Sequence, residues 1–257
     1  TASVTMEGWT YGETPKAPVP DSATNGTGSV TYHYTGENYD SADAPTDAGT
    51  YTVTATFGAT QNYNAVTATH SFTIAPRTVV LSWNFTDPIT YNGQAHTITA
   101  SVTNLVQGDT CSLTYTGTSE ATNVGNYEVM VNGLSNSNYT LEGTSGTTLE
   151  WKIVQAAGSA TVTMEDWTYG DTAKAPVPVS STHGTANVTY HYTGTTTGGE
   201  AYDSDAVPTD AGNYTVTAIF AATQNYETIT CIDTFTIAPR PVELHWNYSD
   251  PIPYDGQ

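Results

Sequence analysis

Pro45-Thr46-Asp47-Ala48-Gly49-Thr50-Tyr51-Thr52-Val53-Thr54-Ala55-Thr56-Phe57 is the stretch that decides the fold. It returns as Pro208-Thr209-Asp210-Ala211-Gly212-Asn213-Tyr214-Thr215-Val216-Thr217-Ala218-Ile219-Phe220, and in a diverged form as Thr122-Asn123-Val124-Gly125-Asn126-Tyr127-Glu128-Val129-Met130-Val131. Each copy has a turn ending in Gly, a Tyr two residues on, then alternating small polar and apolar residues. That pattern is a corner followed by a half-buried strand. Asp47, Gly49, Tyr51, Gly125, Tyr127, Asp210, Gly212 and Tyr214 are therefore the structural corner residues. Three corners in one chain make a repeat array.

Working outward, the repeats divide the chain into residues 1–76, 77–155 and 156–239, with a restart at 240–257. In the first, Ser3-Val4-Thr5-Met6 reads as a strand, and Trp9-Thr10-Tyr11-Gly12 follows with Pro15 and Pro18. Val30-Thr31-Tyr32-His33-Tyr34 alternates and puts its two Tyr residues on one face. Thr69–Ile74 is the closing strand. The second repeat opens at Val79–Trp83, has Tyr91-Asn92-Gly93 in place of Tyr11-Gly12, and Asn136-Ser137-Asn138-Tyr139 in place of Gln61-Asn62-Tyr63. The third nearly copies the first: Trp167-Thr168-Tyr169-Gly170 matches Trp9-Thr10-Tyr11-Gly12, with an insertion at Thr195–Gly199 inside a loop. Residues 240–257 restart the second pattern, Trp246 and Tyr254-Asp255-Gly256-Gln257 echoing Trp83 and Tyr91-Asn92-Gly93-Gln94, as the first strand of a truncated fourth unit. The chain thus opens and closes mid-pattern and reads as a piece of something longer.

The junction Phe72-Thr73-Ile74-Ala75-Pro76-Arg77 contains no flexible linker, and Phe235–Arg240 repeats it. Pro makes each joint short and stiff. At ~3.3 Å per strand residue each repeat spans roughly 30 Å, and three in line reach on the order of 100 Å. Thr, Tyr and Val dominate, and no helical period appears. The fold class is all-β: tandem immunoglobulin-like sandwiches in an elongated array, with β-grasp-like modules as the alternative.

The formal charge is −20, with only five Lys plus Arg in 257 residues. Phosphate binding needs a basic face, so nucleic acid is excluded as a partner. No stretch is apolar enough to insert in a membrane. The two cysteines, Cys111 and Cys231, fall at non-matching places, so they form no repeating disulfide framework.

The corner Asp47-Ala48-Gly49-Thr50-Tyr51-Thr52-Val53 resembles the tyrosine corner of immunoglobulin-like domains, whose Tyr hydroxyl ties back to nearby backbone. Val53 stands where antibody domains carry Cys. The whole repeat is similar to the MBG family of bacterial surface-protein repeats, in particular its YGX type. Tyr11-Gly12 with Pro15 and Pro18, Ala48–Ala55, Asn62-Tyr63 and Phe72–Arg77 carry the resemblance. It implies a non-catalytic stalk or spacer that projects a distal binding domain from an adhesin-like protein, extracellular and attached to the cell surface or wall. It supplies no catalytic residues and no cofactor.

Other readings attach to particular residues. Asp40, Asp43 and Asp47, echoed by Asp203, Asp205 and Asp210, are candidate calcium ligands, since Ca²⁺ takes several oxygens; turn-forming, solvated Asp is the alternative. Trp9 with Tyr11, and Trp167 with Tyr169, are candidate contacts for a glycan or host protein; core packing is the alternative. Lys16, Lys152 and Lys174 raise the question of Lys–Asn isopeptide bonds. None of the six histidines has metal-ligand spacing. Self-association head to tail into a fibre is a further expectation. Buried rings at Trp9/Tyr11 and Trp167/Tyr169 favour the stalk, and exposed ones favour binding.

Overall fold

The computed structural model describes residues 1–247 and 254–256, and among them every regular element is a β-strand. The strands run β1 (Ala2–Thr5), β2 (Trp9–Thr10), β3 (Val19–Ser22), β4 (Val30–Gly36), β5 (Tyr39–Ser41), β6 (Gly49–Phe57) and β7 (Val66–Ala75). There follow β8 (Arg77–Thr78), β9 (Leu81–Trp83), β10 (Ile89–Thr90), β11 (His96–Thr97), β12 (Ala100–Val102), β13 (Leu113–Gly117), β14 (Glu120–Ala121), β15 (Gly125–Leu134), β16 (Tyr139–Thr140) and β17 (Thr148–Val154). The last set is β18 (Ala160–Thr163), β19 (Trp167–Thr168), β20 (Val177–Ser180), β21 (Val188–Thr196), β22 (Ala201–Ser204), β23 (Gly212–Phe220) and β24 (Ile229–Ala238).

Three larger sheets organise them. The N sheet has the order β2-β7-β6-β4-β5, and the C sheet repeats it as β19-β24-β23-β21-β22. The M sheet is four-stranded, β10-β17-β15-β13. Two-stranded ladders accompany them, among them β1-β3 and β18-β20. The short strand β2 joins β7 in parallel, with Trp9 opposite Ile74, and β19 joins β24 in the same way, with Trp167 opposite Ile237.

Alternation builds the cores. On β6, Tyr51, Val53, Ala55 and Phe57 are buried while the intervening Thr residues look outward. Such a strand has one apolar face and needs a cover. Under the N sheet, Val4 and Met6 supply it from the β1 segment, and Tyr34, Phe72 and Ile74 complete the cluster. The C sheet buries the matching residues Val162, Met164, Trp167, Tyr192, Tyr214, Val216, Ala218, Phe220, Phe235 and Ile237.

The chain divides into two compact units, Thr1–Ile89 with Gln94–Lys152, and Thr90–Gly93 with Ile153–Gln257. The Pro76 junction lies inside the first. The strand expected over Val79–Trp83 is shorter, Leu81–Trp83; Val79 is instead buried, with its N–H donating to Thr140 O at 3.1 Å. Residues 241–247, expected to begin a strand, form none, and Trp246 is 85% exposed. The equivalent β9 pairs with β12, and residues 240–257 include no counterpart of β12. Residues 248–253 and 257 of that restart, among them Pro251-Ile252, which in sequence echo Pro88-Ile89, lie outside the described residues.

Candidate functional site

The corner comes first, because it sets the ends of the sheets. Tyr51 Oη donates to Asp47 O at 2.9 Å, Tyr127 Oη to Asn123 O at 2.6 Å, and Tyr214 Oη to Asp210 O at 2.8 Å. The Tyr ring folds back over the Gly two residues earlier. A Cβ on Gly49 would stand 3.0 Å from Tyr51 Oη, and on Gly125 2.9 Å from Tyr127 Oη. Hence the Gly-X-Tyr spacing.

The Tyr-Gly motif is a second device. Glu13 N–H donates to Thr10 O at 2.9 Å, and Gly12 has φ of +81°. A positive φ at the third turn position demands Gly. Tyr11, at the second position, projects from the turn while its N–H stays bonded to Ala75 O at 2.8 Å. Within the first compact unit this ring meets residues of the next repeat. It lies edge-on to Tyr139, with centroids 5.5 Å apart. Tyr11 Oη and Tyr139 Oη both donate to Asp109 Oδ2, at 2.8 and 2.6 Å, and Val106 N–H donates to Tyr139 Oη at 2.7 Å.

Alongside, Asn138 spans the corner: its Nδ2 donates to Asp47 Oδ1 at 2.9 Å, and its Oδ1 accepts from Ala48 N–H at 2.8 Å. Arg77 N–H donates to Asn138 O at 2.8 Å, and its guanidinium reaches Tyr11 O at 3.4 Å. A Cβ on Gly12 would sit 2.4 Å from Val106 Cγ2, so Gly is required by contact as well as by φ. The hydrogen bond to the Asp109 carboxylate, followed by burial, pushes the Tyr11 phenol up to about 12. Burial first, then Asp109, raises Tyr139 as well.

The second compact unit holds the same pairing. Tyr91, from Tyr91-Asn92-Gly93, lies edge-on to Tyr226 with centroids 5.3 Å apart. Tyr91 N–H donates to Val154 O at 2.9 Å, and Ala156 N–H donates to Asn225 O at 3.0 Å, matching the bonds of Tyr11 and Arg77. Tyr169 sits in the same turn, with Gly170 at φ +83° and Tyr169 N–H on Ala238 O at 2.8 Å, yet its ring is 49% exposed. It borders a groove of about 640 Å³ with Glu200, Asp210 and Arg240.

The other candidates fall as follows. Trp9 and Trp167 are buried, stacked on Phe72 at 5.5 Å and on Phe235 at 5.2 Å. Only the tyrosines of those two pairs reach a surface, and Tyr11 is covered by the second repeat. Asp40 pairs with His33, and Asp203 and Asp205 flank His191 at 2.7 and 2.6 Å. The first of these to count, Asp205, raises the His191 pKa. Asp43 N–H bonds to Ser41 Oγ. Among the described residues no three His, Cys, Asp or Glu side chains converge as a metal cage would require. Lys174 pairs with Glu165 at 3.2 Å and Lys152 with Asp87 at 3.9 Å, while Lys16 is exposed. Both cysteines are free and half-buried. Among the described residues no helix is long and apolar enough to cross a membrane.

Sequence reading missed that Asp109 binds Tyr11, that Val106 packs on Gly12 and that Asn138 spans Asp47 and Ala48. The recurrence of Asn-Tyr at Asn62-Tyr63, Asn138-Tyr139 and Asn225-Tyr226 was the available signal for one of them; Asp109 lies in a loop whose copies share no pattern.

No curated protein matches the chain. Among solved structures it is similar to the N-terminal four Ig domains of Dscam1 isoform 9.44, with 10% identity and a TM-score of 0.26, over 93% of this chain and 72% of that one. It is also similar to BT4661, a SusE-like surface located polysaccharide binding protein from the Bacteroides thetaiotaomicron heparin utilisation locus. There the identity is 10% and the TM-score 0.21, over 93% of this chain and 54% of that one. Likeness at this level carries no argument about ligands. Family matches are more specific: residues 2–78 match the MBG domain, and residues 87–150 the MBG domain of YGX type. The second begins just before Tyr91-Asn92-Gly93 and ends within β17, and the first contains Tyr11-Gly12 and the corner at Asp47–Tyr51. Across residues 2–78 and 87–150 the chain belongs to the MBG domain family.

Proposed function

We propose that the chain is a stalk segment of an extracellular, surface- or wall-attached adhesin-like protein, built from immunoglobulin-like repeats at 1–76, 77–155 and 156–239. MBG-type domains are non-catalytic modules typical of bacterial surface proteins. The observation that carries the proposal is the recurrent tyrosine pairing: Tyr11 on Tyr139 and Tyr91 on Tyr226. A Tyr-Gly or Tyr-Asn-Gly turn at the end of one repeat takes the Asn-Tyr loop of the next; the first joint is stiffened by Pro76, while the second, Ala156-Ala157-Gly158-Ser159, has more freedom to bend. Repeats held this way transmit force and keep direction, and the work is mechanical.

Small-angle scattering tests the reading. An array in line has a longest dimension on the order of 100 Å and a radius of gyration near roughly 30 Å. A chain of this length folded into one globule would give about 18 Å, and that value would contradict the stalk.

A second reading has its own support. The exposed Tyr169 ring beside Glu200, Asp210 and Arg240 offers an aromatic face with polar edges, suited to a glycan or a host protein. Binding of a glycan panel that disappears in Tyr169→Ala and persists in Tyr63→Ala would favour this second reading.

A further inference from the structure

We propose that Tyr11 and Tyr139 form a site of oxidative modification: a one-electron oxidant converts the pair to a dityrosine, a covalent bond between the first repeat and the second, with the Asp109 carboxylate as proton acceptor. The chemistry stands on the geometry of the contact alone. The use made of the bond rests on the stalk reading.

Four tyrosine pairs meet edge-on among the described residues: Tyr11 with Tyr139, Tyr39 with Tyr51, Tyr91 with Tyr226 and Tyr202 with Tyr214. Their ring centroids lie 5.5, 5.7, 5.3 and 5.7 Å apart, so distance does not single one out. The hydroxyls of the first pair set it apart. Both Oη atoms donate to one oxygen, Asp109 Oδ2, at 2.8 and 2.6 Å. The hydroxyl ends of the two rings converge there, and with them the ortho carbons that flank each hydroxyl. Tyr39, Tyr51, Tyr202 and Tyr214 give their hydroxyls to the backbone carbonyls of Asp43, Asp47, Ala206 and Asp210. A carbonyl accepts a hydrogen bond but is too weak a base to take the proton.

That difference decides where oxidation settles. A phenol that loses an electron becomes a strong acid, so the electron leaves easily only where a base already holds the hydroxyl hydrogen. Asp109 is that base, and it holds the neutral phenol, which is why Tyr11 stands at about 12. Burial of Tyr139, 4% exposed, is no barrier. The electron tunnels out, and the proton moves only along its hydrogen bond. Each ring in turn yields one electron to the oxidant and its hydroxyl proton to Asp109, which is half-buried and passes that proton to water. The two ring radicals pair in one C–C bond between ortho carbons. The two ortho hydrogens return as protons to the phenol oxygens as the rings regain aromaticity. Two electrons and two protons leave in all, and through a peroxidase they reduce one hydrogen peroxide to two waters.

The new bond lies beside the bridge from Asn138 to Asp47 and Ala48. In a stalk under repeated load it turns a joint that opens and recloses into a permanent one.

Photogenerated tris(bipyridine)ruthenium(III), a cationic one-electron oxidant drawn to a chain of charge −20, tests the proposal on the full chain at low concentration, with persulfate as the final electron acceptor. The monomer fraction is digested and mapped by mass spectrometry for linked peptides two hydrogens lighter than the sum of their parts. The link from Tyr11 to Tyr139 is expected to exceed each of the other three pairs several-fold. Asp109→Asn keeps a polar side chain and removes the base, so the same link is expected to fall several-fold while the Ala48 amide, still slow to exchange, shows the rings in contact. Where Ala48 exchange quickens in that variant, the wild-type ranking alone decides. A wild type in which this link is absent, or no commoner than the other pairs, would overturn the proposal, as would undiminished linkage in Asp109→Asn. A rod by scattering without the link removes this inference and leaves the stalk; a compact globule with the link does the reverse.

Discussion

Tyr51, Tyr127 and Tyr214 carry a hydroxyl that does one thing: it satisfies a corner carbonyl next to the turn. Removing it in Tyr51→Phe leaves Asp47 O without that donor and costs about 1 kcal/mol, read by denaturant unfolding. Gly49→Ala costs more, about 1–3 kcal/mol, because the new Cβ enters the space of the Tyr51 hydroxyl. Tyr11 adds a pH dependence. Its phenol titrates at 10.0 when free and at about 12 in the fold, because the neutral form donates to Asp109. Its contribution is fully present below pH 10, and falls as pH rises through about 12, since the unfolded chain ionises first. Absorbance of tyrosinate across that window should show several late-titrating groups, of which those of Tyr11 and Tyr139 move earlier in Asp109→Asn. His191 has the same sign at lower pH. Flanked by Asp205 and Asp203, its folded pKa lies above 6.5, so its contribution is present below 6.5 and lost as pH rises through the folded value. An imidazole midpoint in NMR at or below 6.5 would contradict this.

At the scale of elements, the strands β6 and β23 were legible because period-two alternation, Gly-X-Tyr spacing and β-branched content all point the same way. The cores they build are aromatic. Phe72 lies between the Trp9 ring at 5.5 Å and the Tyr51 ring at 5.8 Å, and Phe235 between Trp167 at 5.2 Å and Tyr214 at 5.6 Å. Phe72→Ala and Phe235→Ala should each cost about 3–5 kcal/mol by opening a cavity between two rings; a loss below about 1 kcal/mol would mean that the stack does not hold the sheet. Less legible was what the short strands do. β2 is two residues long and shows no alternation, so nothing in Trp9-Thr10 announces a parallel pairing with the end of β7. Arg77-Thr78 pairs in parallel with Tyr139-Thr140, which pulls Val79 into the core and shortens the strand that the apolar run Val79–Trp83 suggested. Parallel partners are distant in sequence, and a local pattern carries no trace of them.

For the whole molecule, repetition was the strongest sequence signal, and it located the Tyr-Gly and Asn-Tyr motifs before any role could be given to them. What the sequence left hidden was that these two motifs meet. Asp109, which both Tyr11 and Tyr139 reach, has no repeated counterpart to mark it, and the Asn138 bridge to Asp47 and Ala48 spans ninety or so positions. The central claim is that a Tyr-Gly turn holds the Asn-Tyr loop of the following repeat. Native-state hydrogen exchange at the Ala48 amide tests it most directly, because that N–H is bonded to Asn138 across the pairing. In Tyr11→Ala its exchange should quicken by about tenfold or more, equivalent to about 1.4 kcal/mol of local opening, while the Val53 and Ala55 amides inside the N sheet keep their rates. An Ala48 rate unchanged from wild type would contradict the claim.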